Sequence, residues 1–425
     1  MLVEKIHFQE RKEKRMKKRV IAVMLTAVMV LGMTACGGTS KTAKADGKTV
    51  NVYVGSDLES TLDDEIAEYK KVNPDAKIKK HVIPNDDYDD KIKVLLSGSS
   101  GDVDVFWART PGFANQYRSA GALEDLSSYQ KKSKTKFNKI KTELSAVSDK
   151  DGGVYGLPIY SSCWMLFYNK KLFDQAGVSY PTKQMTWEQY CDLAESLTKK
   201  DGDTQYWGGQ CPNWTMNLGA IAAGEYLTDK APLDKTAQYL ELTKRMYSKS
   251  HISLEEMNSG SWDNNASFEK GNVYMMIDGD WGYRDLKCDF DYGTAPLPVM
   301  DGVKANTSVG NACYLCMAKS AKNKQAAYDF MEFYTTSDKG TSVIAKSGNV
   351  PSYATDAALD TYKESVKIDG IDNRFKMTVL PEQSNADNYN AVYEVFKQEA
   401  QLYLLGEESL DECMNNFYKL REQAE

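Results

Sequence analysis

Between Lys48 and Trp107 the chain alternates strand and helix signals with little between them, and that alternation restricts it to a small set of folds. "KTVNVYVG" (Lys48–Gly55) alternates polar and apolar residues and stops at glycine, as a half-buried strand does. "STLDDEIAEYKKVNPDAKIKKHVIP" reads as a helix ended at Asn73–Pro74, then a strand from Ile78 to Ile83. "DDYDDKIKVLLSGSSGDVDVFWA" reads as a second helix closed by Ser and Gly, then an apolar strand, Val103–Trp107. Strand–helix–strand–helix–strand is the pattern of an open α/β sheet. Ligands of such sheets bind beyond the carboxyl ends of the strands, which directs attention to the loops "GSDLES" and "WARTPG".

The rest of the chain continues in the same style. A Gly/Pro-rich stretch leads to a strand, Trp164–Tyr168, and a short helix, Leu172–Ala176, closed by Gly177. Thr186 in "TWEQ" caps the next helix, with Gln189 completing a capping box. From there to about Met257 the sequence reads as mostly helical, interrupted by "GGQCPNW". A strand Val273–Ile277 runs into the turn "DGDWG", and "YGTAPLPVMDG" gives another strand and a Pro-rich loop. "TSVGNACYLCMA" reads as one strand, and the helix after it places Ala326, Phe330, Phe333 and Tyr334 on one face. Two helices follow from Tyr389 onward.

The N-terminus has a different character. Lys17, Lys18 and Arg19 precede Val20–Met33, fourteen residues without a charge. That run is too short for a comfortable membrane span of roughly 20 residues and ends in small residues, as an export signal does. Translation from Met16 would give the signal its usual start. "MTAC" (Met33–Cys36) resembles a bacterial lipobox, in which cleavage leaves a lipidated cysteine at the new N-terminus; Met33 departs from the usual Leu. An ordinary secretory signal with an incidental cysteine is the alternative. The expected layout is a signal peptide over 1–35, Cys36 as lipid anchor, and a polar tether over 36–47.

The body, 390 residues from Cys36, is long enough for two lobes. Residues 1–35 carry eight Lys/Arg and three Asp/Glu, so removing their +5 from the whole chain's −7 leaves −12. An acidic body argues against nucleic acid or anionic lipid as partner. The seven cysteines after Cys36 cannot all pair within one chain, and Cys313 and Cys316 read as small buried hydrophobes on a strand. Three scattered histidines offer little for a metal site or a triad, and no cofactor is expected.

"YGLPIYSSCWMLFYNKKLFDQAG…TWEQYCDLAESLTK", "FEKGNVYMMIDGDWG", "GTAPLP" and "LLGEESLDECMNNFYKLRE" together resemble family 1 extracellular solute-binding proteins of ABC importers, in the family's order and over nearly the whole body. The resemblance implies an α/β clamshell of the periplasmic-binding-protein type, with a central sheet in each lobe and about three interlobe crossings, near Ile159, Ser308 and Val350. One lobe would comprise 48–159 and 309–350, the other 160–308 and 351–425. It also implies capture of a carbohydrate, in particular an oligosaccharide, in the interlobe cleft, and delivery to permease subunits by a monomeric, non-enzymatic receptor tethered at the outer face of the membrane of a Gram-positive-type cell.

Sugars want flat aromatics beneath their rings and planar polar groups around the rim. Trp107 and Trp281 match stacking tryptophans of maltose-binding members, and Trp214 falls near a further aromatic contact. Thr110 and Ser162 stand where those members have acidic ligands, so their specificity does not carry over. Asp57 could accept paired hydroxyl hydrogen bonds, Asp280 and Asn311 are candidate rim or hinge groups, Tyr389 and Asn388 could close the cleft, and Trp164 could face cleft or core. Trp187 reads as core. Asp57 could instead cap the following helix. The same fold could hold a peptide, a polyol phosphate at Arg109 and Arg284, or a polyamine at Asp57, Asp278 and Asp280. A glycosidase would need paired carboxylates, for which Asp278 and Asp280 are the available pair, but no nucleophile elbow, phosphate loop or zinc motif accompanies them.

Overall fold

The computed structural model describes residues 49–98, 102–259 and 262–424. The expected signal peptide, Cys36 and the tether lie outside the described residues.

In β1 (Thr49–Gly55), Val50, Val52 and Val54 are buried and the alternate residues half-buried, as period-two patterning requires. It pairs in parallel with β2 (Lys77–Ile83) and with β3 (Val105–Ala108). The five-stranded sheet runs β2–β1–β3–β11–β4, with β4 at Leu157–Ser161 and β11 at Ala312–Met317, the latter antiparallel to both neighbours. The helix Glu59–Val72 packs on the helices Lys324–Thr336 and Asp338–Lys346. In Lys324–Thr336 the buried face is set one position away from the sequence reading. Ala327, Tyr328, Phe330, Met331 and Tyr334 are buried and Phe333 is half-buried, while Ala326 is exposed.

Glu65 occupies the apolar stripe of its helix with Leu62 and Tyr69, is fully buried, and has no hydrogen-bond partner at either oxygen. Burial first, then Glu68 and Asp64, push its carboxyl well above the ordinary value. The folded chain therefore keeps this proton where the unfolded chain loses it. The resulting stability is fully present at low pH and lost as pH rises above the ordinary carboxyl range. Glu65→Met, which removes the buried polar group at similar volume, is expected to raise stability by about 1–3 kcal/mol at pH 8 and by less at pH 4.5, read as melting temperature at the two pH values.

The second sheet runs β6–β7–β8–β5–β9. Its centre, β5 (Trp164–Asn169) and β8 (Val273–Gly279), is antiparallel and buried throughout. β9 (Tyr292–Pro296) flanks β5, and β7 (Thr204–Gln210) runs parallel to β8. The stretch read as mostly helical up to Met257 thus contains a hairpin, β6 (Lys199–Asp201) with β7, turning at Gly202 (φ 58°). The helix Trp187–Leu197 does carry the Thr186–Gln189 capping box, and Trp187 is buried core. Gly208 explains why "GGQ" is strand and not loop. A Cβ there would sit 1.7 Å from the carbonyl oxygen of Ala194, so only glycine lets the strand lie against that helix.

"TSVGNACYLCMA" is also two strands and not one. β10 (Thr307–Gly310) pairs in parallel with β12 (Thr378–Pro381), whereas β11 enters the first sheet, the break falling at Asn311. The chain likewise leaves the first sheet at Ser161 and joins the second at Trp164. A further connection runs past Val350. Pro351 bridges to Tyr160, while Ala345, Val350, Ala358 and Tyr362 pack with Cys163, Met165 and Phe167 of the second lobe.

Candidate ligand site at the lobe crossings

Two crossing strands meet at Ser162 and Asn311. The Ser162 backbone N–H donates to the Asn311 carbonyl (2.8 Å), and the Ser162 Oγ lies 2.9 Å from that oxygen and accepts from the Asn311 N–H at 3.1 Å. The approach is close enough that a Cβ on Gly310 would lie 2.0 Å from the Ser162 carbonyl oxygen. The Ser162 hydroxyl, expected to contact ligand, is therefore taken up in joining the crossings. A cavity of about 310 Å³ lies beside them, lined by Glu143, Ser162, Asn311, Arg374 and Val379 among others.

Glu382 follows β12. Its Oε2 accepts from Trp164 Nε1 (3.0 Å) and Asn311 Nδ2 (3.2 Å), and burial lifts its carboxyl above the ordinary value against the Trp164 hydrogen bond. Trp164 is itself 1 % exposed, so its ring is core and its indole N–H positions Glu382; it offers no open face for stacking. Trp281 meets Trp164 edge-on (5.0 Å, 79°) and is half-buried. Tyr389, buried, directs its hydroxyl toward the Glu382 carbonyl (3.5 Å) and stacks on Tyr393 (6.3 Å, 13°). The Tyr393 hydroxyl donates to the carbonyl of Trp214, whose side chain is 43 % exposed. Trp281, Trp164, Glu382, Tyr389, Tyr393 and Trp214 thus form one connected wall.

The facing residues come from the ends of β1 and β3. Trp107, at the end of β3, packs on Tyr88 (5.3 Å) and carries the Arg109 guanidinium 5.0 Å from its ring centroid. It is only 4 % exposed, more enclosed than a free stacking platform. Thr110 stands at the N-cap of the helix Pro111–Ser119 without capping it. Gly112 donates its N–H to Gln383 Oε1 (2.8 Å), and a Cβ there would meet Asn390 Oδ1 at 2.6 Å, which brings the two walls together. Asp57 is exposed in the turn after β1, caps no helix, and lies close enough to act electrostatically on Arg284.

Asn85 Oδ1, Thr110 Oγ1, Asn311 Oδ1 and Asn390 Nδ2 are buried without a hydrogen-bond partner, whereas Arg109 Nε is ion-paired with Asp89 Oδ2 at 3.4 Å. Each unpartnered group costs about 1–3 kcal/mol if nothing meets it; Asn311 Oδ1 stands at the crossing itself, on a residue that lines the cavity beside it.

Of the two roles open to Asp280, rim or hinge, its contacts are those of a hinge group. Its carboxylate pairs with Arg374 Nε at 2.5 Å, both side chains more than nine-tenths buried, and Arg374 Nη2 donates to the Ser161 carbonyl at 3.0 Å. This carboxylate locks the crossing and is not free for ligand. Burial raises its carboxyl above the ordinary value, opposed by the guanidinium. Sequence reading passed over Glu382, Gln383, Asn390 and Arg374. "LPEQSNADNYN" looks like loop, and only the pairing of β12 with β10 brings it to the crossing. Among the described residues no group of His, Cys, Asp or Glu is arranged to hold a metal, and seven cysteines are free thiols, Cys313 and Cys316 both buried.

Two α/β lobes joined by strand crossings, with aromatic and unpartnered polar groups gathered there, define a two-lobe binding protein. Residues 55–341 match the model of the bacterial extracellular solute-binding protein family, and the chain belongs to that family. It is 23% identical over 350 residues to a maltooligosaccharide ABC transporter solute-binding lipoprotein of Streptococcus pneumoniae, covering 78% of this chain and 79% of that one. Its fold is that of a sugar transporter from Rhizobium etli in an open conformation (TM-score 0.76, 23% identity, 87% of this chain and 98% of that one). A Listeria monocytogenes ABC substrate-binding protein in complex with cycloalternan is comparably similar (TM-score 0.75, 22% identity, 88% and 99%). No helix among the described residues is long and apolar enough to cross a membrane.

Proposed function

We propose that this protein captures a carbohydrate, in particular an oligosaccharide, at the junction of its lobes and hands it to the permease of an ABC importer, without catalysis. The observation that carries the reading is the aromatic set of Trp281, Tyr389, Tyr393 and Trp214, linked through Trp164 and Glu382 to the unpartnered Asn311 Oδ1. A sugar hydroxyl both donates and accepts, and its ring offers an apolar face to an indole. The names of the relatives support the same ligand class. A ligand touching both lobes favours the conformation in which both reach it, which is a population shift that a permease can read. Cys36 would carry the lipid that holds a monomeric receptor at the outer face of the cell membrane. A signal peptide over 1–35 would be removed, and the lobes would divide as the resemblance implies.

Thermal shift with malto-, manno-, xylo-, galacto- and fructo-oligosaccharides, beside glycerol phosphate, spermidine and a peptide mixture, tests this. A sugar at 100 times its Kd is expected to add about 2.7 kcal/mol of stability. Trp281→Ala is expected to weaken that sugar by at least about tenfold. A shift from spermidine or glycerol phosphate alone would overturn the carbohydrate reading, and sugar breakdown during incubation would overturn the non-catalytic one.

A further inference from the structure

Glu382 is fixed at both ends. Its backbone N–H donates to the Gly310 carbonyl (3.0 Å), continuing the β10–β12 pairing by one residue. Its Oε2 takes hydrogen bonds from Trp164 Nε1 and Asn311 Nδ2, which occupy that oxygen's two lone pairs. Oε1 makes no hydrogen bond among the described residues. The Asn311 amide can point only one way. Turned over, it would set Oδ1 against Oε2, two acceptors face to face. Asn311 Oδ1 therefore stays buried and unpartnered. The result is two acceptors on two side chains already bonded to one another, held at the junction of the lobes.

We propose that Glu382 and Asn311 act as one acceptor pair that reads neighbouring hydroxyls on a single ring of the ligand, and so set which sugar the site takes. This rests on the carbohydrate reading above. An ammonium ligand would also satisfy acceptors, but Asn390 Nδ2 is an unpartnered donor, on a side chain set against Gly112 two residues beyond Thr110. That donor needs an acceptor, which hydroxyls have and ammonium groups lack. Trp164 is a positioning residue here, aiming the carboxylate through its N–H while its ring stays in the core.

The test uses the full chain and calorimetric titration with maltotriose, mannotriose, xylotriose, diacetylchitobiose and spermidine. For the sugar that binds best, Glu382→Gln is expected to weaken binding by at least tenfold with an unchanged melting temperature. Monodeoxy forms of that sugar should lose affinity against wild type at one hydroxyl, and lose nothing further at that hydroxyl against Glu382→Gln. Trp164→Phe should weaken binding several-fold in wild type and have no added effect in the Glu382→Gln background, a coupling that a merely structural role would not produce. Equal sugar binding by wild type and Glu382→Gln overturns the inference and leaves the carbohydrate reading intact. Binding of spermidine alone, or of no sugar in the panel, overturns both.

Discussion

Asp280→Ala is expected to cost about 3–5 kcal/mol of stability, because it leaves the Arg374 guanidinium buried without its counter-charge. The pair is enclosed, with both side chains less than a tenth exposed and Nε to Oδ2 at 2.5 Å. It joins three parts of the chain. Asp280 follows β8 and donates its own N–H to the Cys163 carbonyl, Arg374 stands just before β12, and the guanidinium also holds the Ser161 carbonyl at the end of β4. Loss of the carboxylate should therefore loosen the crossing as well as the second lobe. The double substitution Asp280→Ala with Arg374→Met should recover much of the loss, since replacing a buried pair with apolar groups is often close to neutral. Thermal or denaturant unfolding of the single and double variants checks this. A single variant as stable as wild type would show that the pair contributes nothing.

The second large effect depends on pH. Asp278 is 2 % exposed on β8, and burial is the main force pushing its carboxyl up to about 7, with Asp285 adding to it. The Gly279 N–H at 2.9 Å, Asn264 and the Trp281 side chain pull the other way. An unfolded aspartate ionises near 3.9, so between about pH 4 and 7 the folded chain binds the proton that the unfolded chain releases. Stability from this group is whole below about pH 4 and falls as pH rises through about 7. The displacement amounts to about 4 kcal/mol. Asp278→Asn keeps an acceptor for the Gly279 N–H and never ionises. Relative to wild type it should gain about 4 kcal/mol between pH 4 and pH 8. A stability difference between the two proteins that stays level across that range would refute the assignment. Because Trp281 lies near enough to Asp278 to act on its ionisation, the indole fluorescence of wild type should change over the same interval and that of Asp278→Asn should not.

Much of the frame was legible because the signals are local. β1 and β5 have the period-two or continuous apolar pattern that buries a strand, and Thr186 with Gln189 forms the capping box its spacing describes. The errors fall where long-range packing decides. "GGQ" reads as a break because glycine disfavours strands, yet Ala194 leaves room for nothing larger at Gly208. "TSVGNACYLCMA" has no turn signal beyond Gly310–Asn311, and nothing within it says that Asn311 separates strands of two different sheets.

The site divides in the same way. Trp107, Trp214, Trp281 and Tyr389 could be nominated from residue type and position at strand or helix ends, and Trp281, Tyr389 and Trp214 belong to one connected wall. Their side-chain partners could not be read. Rim and hinge were both open to Asp280 until Arg374, 94 residues later, was placed beside it. Glu382 carried no signal of its own in the sequence, and its role rests on the bond from Trp164, 218 residues earlier.

The sequence by itself determined which segments form strands and helices in most of the chain and which family the chain resembles, because apolar period, caps and breakers act over a few residues. Only the tertiary structure decided which carboxylate is locked, which is left with an open oxygen, and which tryptophan positions a neighbour without offering its own face. Those outcomes depend on desolvation and hydrogen bonding between groups brought together from distant parts of the chain, and neither is encoded in the residues that flank them.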